Sequence, residues 1–164
     1  MNQKKLDIVC LGRAAVDLYG QQVGGRLEDM QSFSKYLGGS SANLAAGLGR
    51  LGVKSAMLTR VGNDHMGRFV REQLAKEGVD VSHVSTDPTR LTGLVILGIS
   101  ANGDIPHIFF RERCADMGLV VDDIDERFIA SARAFAVTGT HLSTPTTQQA
   151  VVTAMKAAKA NGTH

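Results

Sequence analysis

The segment of this chain best suited to chemistry is Leu37-Gly38-Gly39-Ser40-Ser41-Ala42-Asn43-Leu44-Ala45. Two consecutive glycines ahead of a helix let the backbone approach a ligand and absorb a hinge rotation. The helix N-terminus then offers unpaired N–H groups to oxygen atoms. Asn43, one turn further on, brings an amide to the same place. The segment reads either as a ligand-facing helix entrance or as a glycine turn with a serine cap and a buried asparagine. Asp17 follows the first apolar run, Leu6–Leu11. Open α/β sheets bind ligands at the C-terminal ends of their strands, and a carboxylate there suits paired sugar hydroxyls; the alternative is a turn aspartate. In Phe110-Arg111-Glu112-Arg113-Cys114-Ala115-Asp116, the Arg111 guanidinium is placed to clamp a carboxylate or keto acid with two parallel donors. Otherwise the run is a solvated charge cluster. The neighbouring arginines predict a lowered pKa for Cys114.

Other chemistries find no matching pattern. No Gly-Lys-Ser/Thr follows the paired glycines, so they do not form a P-loop. A dinucleotide fingerprint belongs after the first strand, where this chain has Gly12-Arg13-Ala14-Ala15-Val16-Asp17. There is no Gly-x-Ser-x-Gly nucleophile elbow. His65, His83, His107, His141 and His164 lack ligand spacing, and no metal site is expected. Asp122, Asp123, Asp125 and Glu126 read as caps and dipole compensation at a helix start. Asp64 reads as a helix cap as well.

The elements that must position these groups follow from the periodicity. Leu6–Leu11 is a buried strand. Short extended pieces punctuated by Gly20, Gly24 and Gly25 lead to a helix over Ser40–Leu51, with Ser40 or Ser41 as N-cap and Gly52 past its end. Val53–Val61 is a strand. Met66, Phe69, Val70 and Leu74 share one face of a helix over Asp64–Glu77. Val79–Val84 is the next strand, and Asp87-Pro88 a turn. Thr92–Ser100 and Ile105–Phe110 form a hairpin about Asn102-Gly103, with φ > 0 at both turn positions. A helix over Asp122–Ala132, a strand over Ala134–Thr138 and a helix from Pro145 to Ala160 complete the pattern. Such alternation predicts a mainly parallel sheet with helices on both faces. The hairpin and the extended pieces break it, and predict a small second sheet.

The 164 residues suit one domain, and 43% hydrophobic against 21% charged residues is a globular balance. A net charge of +2 without a Lys/Arg block gives nucleic-acid binding no support. The apolar run Ile8–Leu11 is too short for a signal segment or a membrane span. Two cysteines, Cys10 and Cys114, without CxxC spacing point to a reducing cytoplasm. A helix ending at Gly162 should be followed by a strand, so the sequence is expected to be a truncated unit, marginal or self-associating on its own.

Gly38-Gly39…Asn43-Leu44-Ala45 resembles the first signature of the ribokinase-like carbohydrate kinases. Val61-Gly-Asn-Asp-His-Met-Gly67 resembles the segment that follows it in that family. Phe110–Met117, Asp122–Asp125 and Val137–Ser143 resemble the branch that acts on a sugar acid, 5-dehydro-2-deoxy-D-gluconate, in inositol catabolism. The resemblance implies a Rossmann-like α/β/α layer across residues 1–164, with a β-sheet lid near residues 18–37 and 92–110. It implies that Asp17 and Asn43 hold sugar hydroxyls and that Gly38 and Gly39 serve as hinge and close-approach backbone. Arg111 would face the acid end, and a homodimer could form through the lid. ATP and Mg2+ are implied for the complete enzyme. Family members run to about twice this length, and their catalytic aspartate lies in a Gly-Ala-Gly-Asp motif absent from this sequence. The 164 residues alone are therefore expected to carry the substrate site without the catalytic residue or the ATP site. The alternative is a non-catalytic module that binds a sugar or a partner chain.

Overall fold

The computed structural model describes residues 4–164. Leu6–Leu11 (β1), Ser55–Gly62 (β4), Asp80–Asp87 (β5) and Ala132–Val137 (β8) form a fully parallel sheet in the order β5-β4-β1-β8. β1 is apolar on both faces because both are covered. Val9 and Leu11 pack with Leu58, Leu119, Ile129 and Val151 on one side. Cys10 packs with Met57, Val61, Ala42, Val70 and Leu74 on the other. The first side is roofed by Glu126–Ala130 (α3) and Pro145–Ala160 (α4), the second by Ser40–Arg50 (α1) and His65–Lys76 (α2). Full burial of residues such as Leu11, Met57 and Leu58 is worth about 2–3 kcal/mol each.

The helix ends show which sequence signals operate. Asp64 caps α2: its Oδ1 accepts the Met66 and Gly67 N–H groups, each at 2.8 Å, and its Oδ2 accepts the Thr92 N–H. Gly78 follows with φ +81°. Thr144 caps α4, with Pro145 in the first turn. The serine cap expected for α1 is corrected. The N-cap is Gly39, at φ +95°, and both serines lie inside the helix. Ser41 Oγ donates to Leu11 O, and Ser40 Oγ bonds Thr138 and Thr140.

A second sheet, in the order β3-β2-β6-β7, is built from Phe33–Gly38 (β3), Ala15–Gly20 (β2), Gly93–Leu97 (β6) and His107–Phe110 (β7). β2 runs antiparallel to β3 and parallel to β6, and β6 antiparallel to β7. Asp17 thus sits within a strand of this sheet and not at the C-terminal end of β1. The hairpin is also corrected. Only Gly103 of the turn has positive φ, at 86°. Gly103 N–H donates to Ser100 O and Ser100 N–H to Asp104 O, a three-residue loop with glycine in the left-handed place. Regular pairing stops at Leu97 and His107, since Pro106 has no N–H to contribute. The helix expected over Asp122–Ala132 shrinks to α3. Asp123 is used elsewhere: it accepts the Val120 N–H at 2.8 Å and pairs with Arg60 at 3.1 Å. Asp125 then caps α3. After α4 the chain returns beside β8, where Phe135 N–H donates to His164 O and His164 N–H to Arg133 O. Among the described residues no helix is long and apolar enough to cross a membrane.

Candidate functional site

Residues two apart on a strand share a face, and the register of the second sheet assembles one such face. Asp17 lies opposite Tyr36 and Val95, and Tyr19 opposite Ser34 and Leu97. Val95 lies opposite Phe109, and Leu97 opposite His107. The alternate face, with Val16, Leu18, Leu37 and Leu94, packs on the main body. The Asp17 face is therefore the one open to a ligand. A cavity of about 680 Å³ is lined by Asp17, Tyr19, Gln21, Ser34, Tyr36 and Asn43. A smaller one of about 210 Å³ shares Asp17 and Tyr19 and is lined also by Arg13, Gly39, His107 and Phe109. Tyr19 and Tyr36 meet edge to face at 5.4 Å, an aromatic wall of the kind that stacks on a sugar ring.

The paired glycines make this closeness possible. A Cβ at Gly38 would collide with the Asp17 carboxylate, and one at Gly39 with the Arg13 carbonyl. The start of α1 is thereby pressed against β2, and Asn43 stands exposed at the mouth of the larger cavity; it is not a buried asparagine. Burial holds the Asp17 carboxyl above the ordinary aspartate range, with Arg13 opposing. The carboxylate is suited to accepting hydrogen bonds from hydroxyl donors.

Arg111 lines neither of these cavities. Its Nη2 donates to Thr140 O at 2.9 Å, and its Nε stands 3.5 Å from Asp116 Oδ2. It lines a separate cavity with Arg90, Arg113, Ser143 and Thr146. The expectation for Cys114 is corrected as well. Burial and then Asp116 push its thiol up, outweighing Arg13 and Arg111, and Sγ contacts Phe110 O. Asp116 and His141 are buried beside Arg111, and neither ring nitrogen of His141 has a partner among the described residues. Arg13 is the residue that local reading missed: it is only 7% exposed and stands over the Phe109 ring at 5.0 Å. The available signal was a lone charge between Leu11 and Ala14-Ala15-Val16, since arginine inside an apolar run needs a reason. Tyr19 was legible from its i+2 relation to Asp17.

At the C-terminal ends of β1 and β8 the strand order reverses. α1 leads on to β4 and β5 on one side, while β8 lies on the other. Ser40, Ser41, Thr138 and Thr140 join there in a hydroxyl network with spacings of 2.8–3.1 Å. This is the crevice where open α/β folds bind ligands, and it adjoins the Gly38-Gly39 entrance. Among the described residues, no three His, Cys, Asp or Glu side chains converge as a metal site.

Known proteins resemble this chain in sequence and in fold. The chain is 38% identical to 5-dehydro-2-deoxygluconokinase of Geobacillus kaustophilus over 162 residues, which is 98% of this chain and 48% of that protein. The same figures describe the enzyme of that name from Clostridium perfringens. The chain spans about half the length of the curated relatives it matches. The PfkB protein of Polaromonas sp. JS666 superposes with TM-score 0.91 at 35% identity, covering 96% of this chain and 53% of that one. A sugar kinase of Pyrococcus horikoshii, solved in complex with ATP, superposes with TM-score 0.86 at 29% identity, covering 93% and 49%. The family model described as pfkB family carbohydrate kinase matches residues 5–164. The match spans both sheets and the helices between them, and this chain belongs to the pfkB family of carbohydrate kinases.

Proposed function

We propose that this chain carries the sugar-acid site of an ATP-dependent kinase acting on 5-dehydro-2-deoxy-D-gluconate, with ATP and Mg2+ serving the complete enzyme in the cytoplasm. The carrying observation is Asp17: a half-buried carboxylate on the open face of the lid, between two tyrosines and opposite Asn43. Its oxygens accept sugar hydroxyls while Tyr19 and Tyr36 cover the ring. Lid closure over that face excludes water from transfer. The sugar acid is the one named in the relatives, the 5-dehydro-2-deoxygluconokinases. Gly-Ala-Gly-Asp does not occur in the 164 residues, so by themselves they bind the sugar acid and transfer nothing. Titration calorimetry with 5-dehydro-2-deoxy-D-gluconate tests this. Binding should weaken at least about ten-fold in Asp17→Ala, the loss of a charge-assisted hydrogen bond, and adding Mg-ATP should release no ADP. Equal affinity in Asp17→Ala, or steady ADP release, would overturn the reading.

The lid also offers a self-association surface. β7 is an edge strand, exposed along its whole length, with Ile108 and Phe110 about half exposed. Such an edge invites a second copy. We expect the chain to sediment as a dimer and Ile108→Lys as a monomer. A wild-type monomer at every concentration tested would refute the lid dimer.

A further inference from the structure

Arg13 is a buried cation that the described residues leave without a partner. It has 7% exposure, and its Nε and Nη2 donate no hydrogen bond. It forms no ion pair among the described residues, whereas Arg111 beside it has Asp116 at 3.5 Å and donates Nη2 to the Thr140 carbonyl, although its own Nε lacks a hydrogen-bond partner there. A buried guanidinium is normally paired, because stripping its water without replacing it is costly. The Asp116 and Asp17 carboxylates are near enough to favour its charge but neither pairs with it, and it stands over the Phe109 ring at 5.0 Å, a cation–π contact that leaves the in-plane N–H donors unused. The side chain lines the smaller cavity that opens from Asp17. Asp17 lines the same cavity, which places a hydroxyl acceptor and an unused planar fork of donors together, with His107 and Phe109 on the wall.

We propose that Arg13, and not Arg111, receives the carboxylate of the sugar acid, and so sets the preference for an acid over a neutral sugar. This rests on the sugar-site reading above. The carboxylate supplies the partner the guanidinium lacks, in the planar two-bond geometry that arginine favours. Asp17 then holds hydroxyls further along the same chain of carbons. The arrangement also explains why a cation is tolerated there: its cost in the empty protein is offset when the acid binds. An orphaned charge kept for a ligand reduces stability without one.

The test compares 5-dehydro-2-deoxy-D-gluconate with its neutral primary amide by calorimetry on the whole chain. The wild type should prefer the acid by about ten- to a hundred-fold, the size of a charge-assisted interaction. In Arg13→Gln the two should bind within about two-fold, while Arg111→Gln keeps the preference. The thermal midpoint of ligand-free Arg13→Gln should equal or exceed that of the wild type. Arg13→Lys, which keeps the charge but not the fork, should retain an intermediate preference. Three outcomes overturn the inference: a preference that survives in Arg13→Gln, one that disappears in Arg111→Gln instead, or failure of Arg13→Gln to fold. A wild type that binds acid and amide equally overturns it too, but leaves the sugar site standing. A wild type that binds neither defeats the sugar-site reading and this inference together.

Discussion

Gly39→Ala should destabilise the protein by about 3 kcal/mol in urea denaturation, against about 1 kcal/mol for Gly52→Ala. Both glycines have positive φ, +95° and +81°, so both substitutions carry the backbone penalty of an L-residue in that region. They differ in what the new methyl meets. At Gly52 nothing lies within 4 Å. At Gly39 the methyl falls 2.8 Å from the Arg13 carbonyl carbon and 3.0 Å from Ala14 Cα, and collides with the carbonyl oxygen. Those atoms are main chain and cannot rotate away. The carbonyl is also pinned, because it accepts the Ala42 N–H at 3.2 Å in the first turn of α1. Relief requires separating α1 from the β1–β2 connection, which loosens the Ala42 and Ala45 packing on Cys10 and Met57. Overpacking of this kind adds roughly 1–3 kcal/mol to the dihedral cost. Because Arg13 sits on that connection, the variant should also lose sugar-acid affinity. Equal losses at the two glycines would show that contact with Arg13 is unimportant.

The main sheet and α2 were legible because their signals are local and redundant. β1 is covered on both faces and so is uniformly apolar, while α2 has both a periodic face and Asp64 at its start. The strands of the second sheet were legible as a departure from β–α alternation, but their open face was not. That face follows from the pairing of Asp17 with Tyr36 and Val95, which links residues far apart in sequence. The two arginines illustrate the same limit. Arg111 abuts the hairpin in sequence, yet the chain turns back at Arg113, with φ +55°, and delivers it to Asp116 and Thr140. Arg13 looks like part of a plain connection, yet the curl from β1 into β2 buries it beside Asp17. Likewise, the serines of α1 are good caps in isolation, but the close approach to Arg13 demands positive φ at the cap position, and glycine takes it.

Lowering the pH from 7 to 5 should weaken the wild-type fold relative to a His141→Met variant by about 2 kcal/mol. His141 is fully buried, and neither ring nitrogen has a partner among the described residues. Burial, and then the charge of Arg111, pull its pKa from 6.5 down to about 4. The folded state therefore resists a proton that the unfolded state accepts. The stability contributed by neutral His141 is complete above pH 6.5 and is lost progressively as the pH falls toward 4. Asp116 and Asp17 work in the opposite sense. Burial raises both carboxyl pKa values, so taking up a proton relieves a cost in the folded state and partly masks the loss. Both carboxyls remain in His141→Met, so the difference between the two proteins isolates the imidazole. The substitution itself should be tolerated at pH 7, because a methionine of similar volume replaces a ring that makes no hydrogen bond there. Parallel stability curves for the two proteins between pH 7 and 5, measured by urea denaturation, would mean that His141 gains a partner in solution and titrates as an ordinary histidine.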